Sequence, residues 1–347
     1  MEKPVFDREL SAWLARQFSH ATEAPLSVAR AADMGVTIQA ANHQLRRIEA
    51  RGVLGSRLEG RRKLYRLGGL RNASQTYDRE RIEEDVVWRN LIAPCLEGFA
   101  EPPAMRILEF GSTEMINNAR DHSDGARVLV SVQVDMAFAT IRICDDGEGI
   151  FARVKRLCKL GDERESLLEL AKGKLTTDPE RHSGEGVFFT SRAVDRFVIF
   201  SGGLSFSHDG GENDFLFGHD DVRRGTTVVL RHAHTSQTRL KEVFDAYASP
   251  QEYTFSKTIV PLRLAVFGNE NLMSRSQARR VLSRVERFRT VILDFDGVEF
   301  VGQAFADEVF RVFATQHPET EIIPIHTNGA VGQMVTRAIL GRAADKP

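Results

Sequence analysis

Apolar residues recur at helical spacing in several separate stretches, beginning with residues 7–20. Pro25 suits the first turn of a second helix, and Met34–Gly35 is typical of the turn that would end it. A third helix is predicted after Thr37, whose hydroxyl is a good N-cap. The residues predicted to share its buried face are Ile38, Ala41, Leu45 and Ile48.

Two short strands are predicted over residues 53–68, around a basic tip at 60–63. The order of three helices and a basic hairpin resembles a winged helix-turn-helix domain over residues 1–70. The resemblance implies that the polar face of the third helix enters the major groove of duplex DNA and that the tip contacts phosphates. A small helical domain that docks on protein is the alternative. The candidate DNA-contacting residues are Gln39, Asn42, His43 and Arg46 on the helix and Arg61, Arg62 and Lys63 at the tip.

Residues 77–99 carry alternating charges early and apolar residues late, with a break at Pro94. This pattern predicts a helical connector over residues 71–100. No internal repeat is visible in the sequence.

The stretch 107–123 combines acidic and amide side chains on a helical pattern. Glu114, Asn118 and His122 are four residues apart and so share one helix face. A carboxylate and an amide on a buried face need a partner such as a metal ion, a water or a phosphate. His122 is either a phosphate contact or a structural histidine.

Three glycine-bearing segments follow this helix. The first segment, Asp145 to Gly149, lies at the end of a predicted strand. Its glycines leave room for a flat ring, and its first carboxylate can accept a hydrogen bond from an exocyclic amine. Gly184 and Gly186 precede an apolar helical pattern, an arrangement in which free backbone amides hold phosphate. Gly225 to Thr227 open another strand.

Four segments resemble, in order, the N, G1, G2 and G3 boxes of the GHKL ATPase superfamily. They are Glu114 to Asn118, Asp145 to Gly149, Ser183 to Gly186 and Gly225 to Thr226. The resemblance implies an α/β sandwich over residues 101–235, in which a mixed sheet carries helices on one face and residues of about 151–183 form a mobile lid. An α/β domain with glycine-rich turns is the alternative, and it leaves the acid-amide helix unexplained.

The resemblance also implies a role for each residue, with ATP and Mg²⁺ as cofactors. Asn118 would coordinate Mg²⁺ and Asp145 would accept the adenine amine. Glu114 stands where hydrolysing members keep a general base; anti-sigma-factor kinases share this glutamate, and a structural carboxylate is a further alternative. The other residues implied to contact the nucleotide are Gly147, Gly149, Ser183, Gly184, Gly186 and Thr226.

Strand and helix patterns alternate from about residue 261. Residues 250–347 resemble a STAS-like α/β domain, which implies a protein partner. STAS domains switched by phosphorylation carry a hydroxyl residue after the central strand, whereas residues 297–306 here contain none. The segment around Asp294 and Asp296 also resembles the nucleophile strand of haloacid-dehalogenase phosphatases, but too little chain follows it for that fold. These two aspartates are expected to end a strand and cap a turn.

Length, charge and cysteine content limit the number of domains and the cellular location that can be expected. With 347 residues, two or three domains are expected. The net charge is −1, yet basic residues crowd positions 46–71. The three cysteines have no metal-type spacing, and no apolar run approaches a membrane helix, so a cytoplasmic protein is expected.

The fold class expected is therefore multidomain α/β: a winged helix, a GHKL sandwich and a small STAS-like domain. Three functions fit this organisation: a transcriptional regulator controlled by Mg-ATP, an anti-sigma-type serine/threonine kinase or sequestering factor, and a MutL-like ATPase that remodels DNA. A homodimer is expected because helix-turn-helix proteins usually read paired half-sites.

Overall fold

The computed structural model describes residues 6–174, 184–209, 213–248, 255–266 and 271–344. Chain contacts divide it into two units, the first comprising 1–148, 190–200 and 224–240 and the second 149–189, 201–223 and 241–347. The helices are α1 (Arg8–Gln17), α2 (Leu26–Met34), α3 (Ile38–Ala50), α4 (Glu84–Val87), α5 (Ala93–Leu96), α6 (Pro102–His122), α7 (Ile150–Cys158), α8 (Glu165–Lys172), α9 (Gly186–Ala193), α10 (Leu240–Tyr247), α11 (Arg275–Leu282), α12 (Gln303–Asp307), α13 (Ala314–Gln316) and α14 (Gly329–Ala344). The strands are β1 (Leu54–Glu59), β2 (Arg62–Leu67), β3 (Arg71–Asp78), β4 (Arg127–Val134), β5 (Phe138–Asp145), β6 (Arg196–Asp209), β7 (Asn213–Ala233), β8 (Lys257–Pro261), β9 (Thr290–Asp294) and β10 (Glu321–Ile325).

The first unit begins with three helices and an antiparallel hairpin, in the predicted order. Gly35 ends α2 in the left-handed region (φ 62°), and the Thr37 hydroxyl accepts the amide of Ala40 at the start of α3. The buried face of α3 consists of Ala41, Leu45 and Ile48. The prediction that Ile38 belongs to this face is wrong: its side chain is 52% exposed, because the packed part of the helix starts one turn later.

One hydrophobic core joins the helices and hairpin to the sheet of this unit. It runs from Leu14 and Leu45 to Met136 and Phe138 in the connection between β4 and β5. The Arg231 guanidinium lies 3.6 Å from the centre of the Phe138 ring and donates to the carbonyl oxygen of Phe18 at 3.0 Å. Residues 6–70 therefore share their core with the sheet that follows.

The sheet has five strands in the order β3-β4-β5-β7-β6. Residues 71–78, predicted as part of a helical connector, form the strand β3, because they pair with β4 along their whole length. This long-range pairing outweighs the local helical pattern, and helix begins only after residue 78. The registers described, β3–β4, β4–β5 and β5–β7, are antiparallel, so the mixed sheet expected from the sequence is not found among them.

Residues alternate between the two faces of this sheet. Val128, Val130 and Val132 on β4 are buried, whereas Leu129 and Gln133 point away from the core and are exposed. Helix α6 packs against β4 and β5 and buries Ile107, Leu108, Met115 and Ile116. The helix that carries the acidic and amide residues is thus held against the buried face of the sheet.

The second unit contains α7 and α8 and a three-stranded parallel sheet in the order β10-β9-β8. Its first strand lies at Lys257–Pro261, earlier than the predicted segment, since residues 262–265 form a 3₁₀ turn. The carboxylate of Asp294 accepts the amide of Asp296 at 2.9 Å, so Asp294 ends β9 and caps the next turn as predicted. Among the described residues, none of the helices combines the length and apolarity needed to span a membrane.

Candidate functional site

Asp145 lies at the end of β5 and joins two of the predicted boxes within the first unit. One carboxylate oxygen, Oδ1, accepts the backbone amide of Gly147 at 3.0 Å and that of Thr226 at 3.2 Å. The antiparallel pairing of β5 with β7 places these residues together, because Cys144 is opposite Thr227. The structure therefore brings Asp145, Gly147 and Thr226 into one cluster, although they are far apart in the sequence.

The charge state of Asp145 reflects two opposing influences. Burial raises the pKa of its carboxyl group, while the backbone amides of Gly147 and Thr226 and the Thr226 side chain lower it. The neighbouring Asp146 has the opposite environment: its exposed carboxylate accepts the amides of Arg127 and Ala126, which hold its pKa below the usual range. Asp146 therefore fixes the loop, and Asp145 is the half-buried acceptor.

Two glycines in this cluster leave no room for a side chain. A Cβ atom on Gly147 would lie 1.8 Å from the carbonyl oxygen of Ser123. A Cβ atom on Gly225 would lie 2.0 Å from the carbonyl oxygen of Asp145, and its φ of 86° is in the region that favours glycine. The backbone beside the Asp145 carboxylate is therefore closely packed and without projecting side chains at these two positions.

The end of α6 is attached to this loop. The amide of Glu148 donates to the carbonyl oxygen of Ser123 at 3.0 Å, directly after the helix. Glu114, Asn118 and His122 all lie on α6 and are half-buried. The helix face that carries Glu114, Asn118 and His122 thus ends at the loop that follows Asp145.

The amide side chains of α6 have few protein partners. Asn118 Nδ2 is 3.9 Å from the sulfur of Met115, which is a weak contact. The Oδ1 atom of the adjacent Asn117 is buried and has no hydrogen-bond partner among the described residues. Asp121 is half-buried and pairs with Arg120, whose guanidinium also contacts Glu84.

Gly149, Gly184 and Gly186 belong to the second unit. Gly149 is the N-cap of α7 with a φ of 95°, and Gly184 has a φ of 71° two residues before the start of α9 at Gly186. Both conformations favour glycine. Ser183 lies outside the described residues.

The candidate DNA-contacting side chains fall into two groups. Gln39, His43, Arg46, Arg61 and Arg62 are exposed. Asn42 and Lys63 are engaged within the protein: Asn42 Oδ1 accepts the hydroxyl of Ser27 at 2.6 Å, and the Lys63 ammonium lies 2.7 Å from Glu49. This ion pair engages Lys63 within the protein, whereas the contact of the three basic tip residues with phosphate stays a prediction.

Reasoning from sequence missed the contribution of Ser123 and Asn117. Ser123 acts through its backbone carbonyl group, so its side-chain chemistry gives no signal. Asn117 precedes Asn118 in the sequence, and only the structure shows that its amide oxygen is buried.

Comparison with known proteins places one part of the chain in a described class. Residues 277–331, which run from α11 into α14, match the family described as "STAS-like domain of unknown function (DUF4325)". The protein therefore has a mixed α/β fold with a C-terminal STAS-like domain. No curated protein matches the chain.

Proposed function

We propose that this protein is an ATP-binding, ATP-hydrolysing transcriptional regulator in which Mg-ATP controls the binding of duplex DNA or of a protein partner. The observation that carries the proposal is the cluster of Asp145, Gly147 and Thr226. These three residues come from two separate boxes of the GHKL resemblance, and a half-buried carboxylate that can accept a hydrogen bond suits an adenine ring with an exocyclic amine.

The residues of α6 fit the metal-bound phosphate end of such a ligand. Helix α6 carries a buried amide oxygen at Asn117, which has no partner within the described parts of the chain, and a weakly bonded amide at Asn118. The described residues contain no group of three or more histidine, cysteine, aspartate or glutamate side chains that could hold a metal ion. A Mg²⁺ ion at Asn118 would accordingly take most of its ligands from phosphate and water, which is its usual preference.

Hydrolysis would depend on Glu114, in the position of a general base that orients water. Gly149, Ser183, Gly184 and Gly186 are proposed as the remaining nucleotide contacts from their sequence resemblance. The bound metal would neutralise charge on the phosphates.

DNA binding is proposed for the surface formed by α3 and the β1–β2 hairpin. Three helices followed by a two-stranded hairpin support a winged-helix interpretation. Exposed Gln39, His43 and Arg46 would face base edges, and Arg61 and Arg62 would contact phosphates. A cytoplasmic homodimer reading two half-sites is part of this proposal.

The test is a titration of the full-length protein with Mg-ATP, followed by measurement of phosphate release with and without duplex DNA. We expect saturable binding, and release that Glu114→Ala abolishes while binding persists. Absence of Mg-ATP binding would refute the nucleotide site. Binding without release would instead favour a kinase or sequestering factor of the anti-sigma type, and strong stimulation by DNA of any sequence would favour a remodelling ATPase.

A further inference from the structure

Helix α8 of the second unit is buried nearly all round. Every residue from Ser166 to Lys172 is buried, including the charged residues Glu169 and Lys172. The helix packs against β8 and the 3₁₀ turn at 262–265. A short helix enclosed in this way behaves as part of the core formed with the C-terminal sheet.

Lys172 makes the most specific of these contacts. Its side chain is 2% exposed, and its ammonium group contacts Glu169 Oε1 at 2.6 Å and the carbonyl oxygens of Ser283 at 2.9 Å and Arg280 at 3.3 Å. These carbonyls lie at the C-terminal end of α11, where the helix dipole favours a positive charge. Three acceptors match the three N–H groups of the lysine. Burial lowers the pKa of Lys172, and Glu169 opposes that effect.

Further bonds tie the same segment to the C-terminal strands and turns. The hydroxyl of Thr258, on β8, donates to the carbonyl oxygen of Lys172 at 2.7 Å. Arg280 lies 3.1 Å from the Glu165 carboxylate, and Lys174 donates to the carbonyl oxygen of Arg287 at 3.2 Å. The chain from Glu165 to Lys174 is therefore held at both ends.

Helix α7 is held as well. Arg284 donates to the sulfur of Cys158 at 3.0 Å, and the hydroxyl of Ser166 donates to the carbonyl oxygen of Phe151 at 2.8 Å. Since α7 starts at its N-cap Gly149, a candidate nucleotide contact is joined by a single short helix to this network.

A buried ion pair is a weak source of net stability, since apolar residues of similar volume are often equally stabilising. Its best-attested use is to specify one arrangement of two packed elements. The pair Glu169–Lys172 fixes where α8 sits against the end of α11, and α11 contains the start of the STAS-like match.

We propose that the STAS-like domain regulates nucleotide binding and turnover by holding α8, with Lys172 and Glu169 as the contact that fixes this docking. The regulatory half of the proposal rests on the proposed nucleotide function. The connection between α8 and the candidate nucleotide contacts is through the chain itself. Residues 150–174, which contain α7 and α8, directly follow Gly149 and precede Gly184 and Gly186. Displacement of the end of α11 would release α8 and so alter the positions of these glycines.

The experiment compares wild-type protein with Lys172→Met, with the double variant Glu169→Gln/Lys172→Met, and with Lys241→Ala as a control on an exposed ion pair. Lys172→Met alone leaves a buried carboxylate without its cation, whereas the double variant removes both charges and protects the fold. Hydrogen exchange of the amides of Leu167 to Ala171 is measured without nucleotide. Affinity for Mg-ATP and phosphate release are then measured on the same samples.

We expect the double variant to exchange α8 amides at least about tenfold faster while β9 stays protected, which is the signature of local opening. We expect its ATP affinity or turnover to change by at least about fivefold, the lower range of allosteric coupling. Unchanged α8 exchange, or faster exchange with unchanged affinity and turnover, would overturn the proposal. A wild-type protein that binds no Mg-ATP would instead overturn the proposed function, and with it the regulation, whatever the exchange shows.

Discussion

The carboxylate of Asp145 accepts the backbone amide of Thr226 at 3.2 Å, so a side chain joins the end of β5 to β7 in addition to the strand ladder. The same oxygen accepts the amide of Gly147. Asp145 therefore has a structural role that must be separated from its proposed contact with adenine.

Two substitutions at Asp145 separate these roles. Asp145→Asn keeps an Oδ1 acceptor for both amides, so the free energy of unfolding is expected to change little. The variant loses the charged acceptor, so ATP binding should weaken by about tenfold or more. Asp145→Ala leaves both amides without their partner and should also lower the free energy of unfolding by about 2 kcal/mol. Calorimetric titration and urea unfolding followed by tryptophan fluorescence measure the two effects, since Trp13 and Trp88 both lie in the first unit. Wild-type affinity in Asp145→Asn would exclude the adenine contact.

Gly147→Ala is expected to damage the loop itself. The added Cβ would lie 1.8 Å from the carbonyl oxygen of Ser123, so either the loop or the end of α6 must move. We expect a loss of about 1–3 kcal/mol in unfolding free energy, as for other forced overpacking. Gly69→Ala is the matched control, because its Cβ would meet only the flexible end of Gln133 at 3.6 Å. Equal stability of the two variants would contradict this close packing of the loop.

The nearness of Asp145 to Thr226 illustrates what sequence could predict. The strand predicted before Asp145 corresponds to β5, and the resemblance of the glycine segments to nucleotide-binding boxes implied that they meet. The closeness of Gly147 to Ser123 could not be predicted, because it depends on a backbone carbonyl group. Likewise β3 was hidden, since its polar residues at Asn72, Ser74 and Thr76 carry no apolar alternation and become a strand only by pairing with β4.

The burial of Lys172 is a second feature that no local pattern indicates. Glu169 and Lys172 are an acidic and a basic residue three positions apart, a spacing that is common on exposed helix faces. Their burial follows from carbonyl groups more than a hundred residues later, at Arg280 and Ser283. Sequence periodicity predicts elements, whereas contacts of this kind require the tertiary structure.

Asn118→Ala should remove the metal-dependent part of nucleotide binding. The described contact of its amide is a weak one with Met115, so unfolding should be nearly unchanged. We expect affinity for Mg-ATP to fall at least about tenfold, while affinity for ATP measured in EDTA stays as in wild type. Asn72→Ala, an exposed amide on β3, serves as control. An equal loss with and without Mg²⁺ would mean that Asn118 is not a metal ligand.

Basic residues of the hairpin should contribute unequally to DNA binding. Arg61 and Arg62 are exposed, whereas Lys63 is neutralised by Glu49 at 2.7 Å. Replacing both arginines by alanine should flatten the dependence of log K on log salt by about 0.9 for each phosphate that the protein no longer neutralises. Lys63→Ala should change this slope less, and Glu49→Gln should strengthen binding because it frees the lysine. Fluorescence anisotropy with duplex DNA at several salt concentrations measures the slopes, and a larger effect from Lys63→Ala would contradict the role of the ion pair.

Asp135 and His234 should give the first unit opposing responses to acid. Burial raises the pKa of Asp135 to about 6, although the hydrogen bonds from the amides of Phe138 and Ala137 lower it. Burial lowers the pKa of His234 to about 4. The contribution of Asp135 to the free energy of unfolding is present below pH 4 and is lost as the pH rises through 6. The contribution of His234 is present above pH 6.5 and is lost as the pH falls through 4. Each shift is equivalent to about 3 kcal/mol, so the two nearly cancel between pH 4 and 6.5.

Single substitutions should expose each response. Asp135→Asn keeps an acceptor for the turn amides, so acidification from pH 6.5 to 4 should lower its unfolding free energy, relative to wild type, by about 3 kcal/mol. His234→Gln keeps a donor for the carbonyl oxygen of Asp135, and its stability relative to wild type should instead rise over the same range. Other carboxylates titrate in all three proteins and cancel in these differences. Urea unfolding monitored by tryptophan fluorescence gives the values, and differences of the same sign in both variants would show that burial does not set these two pKa values.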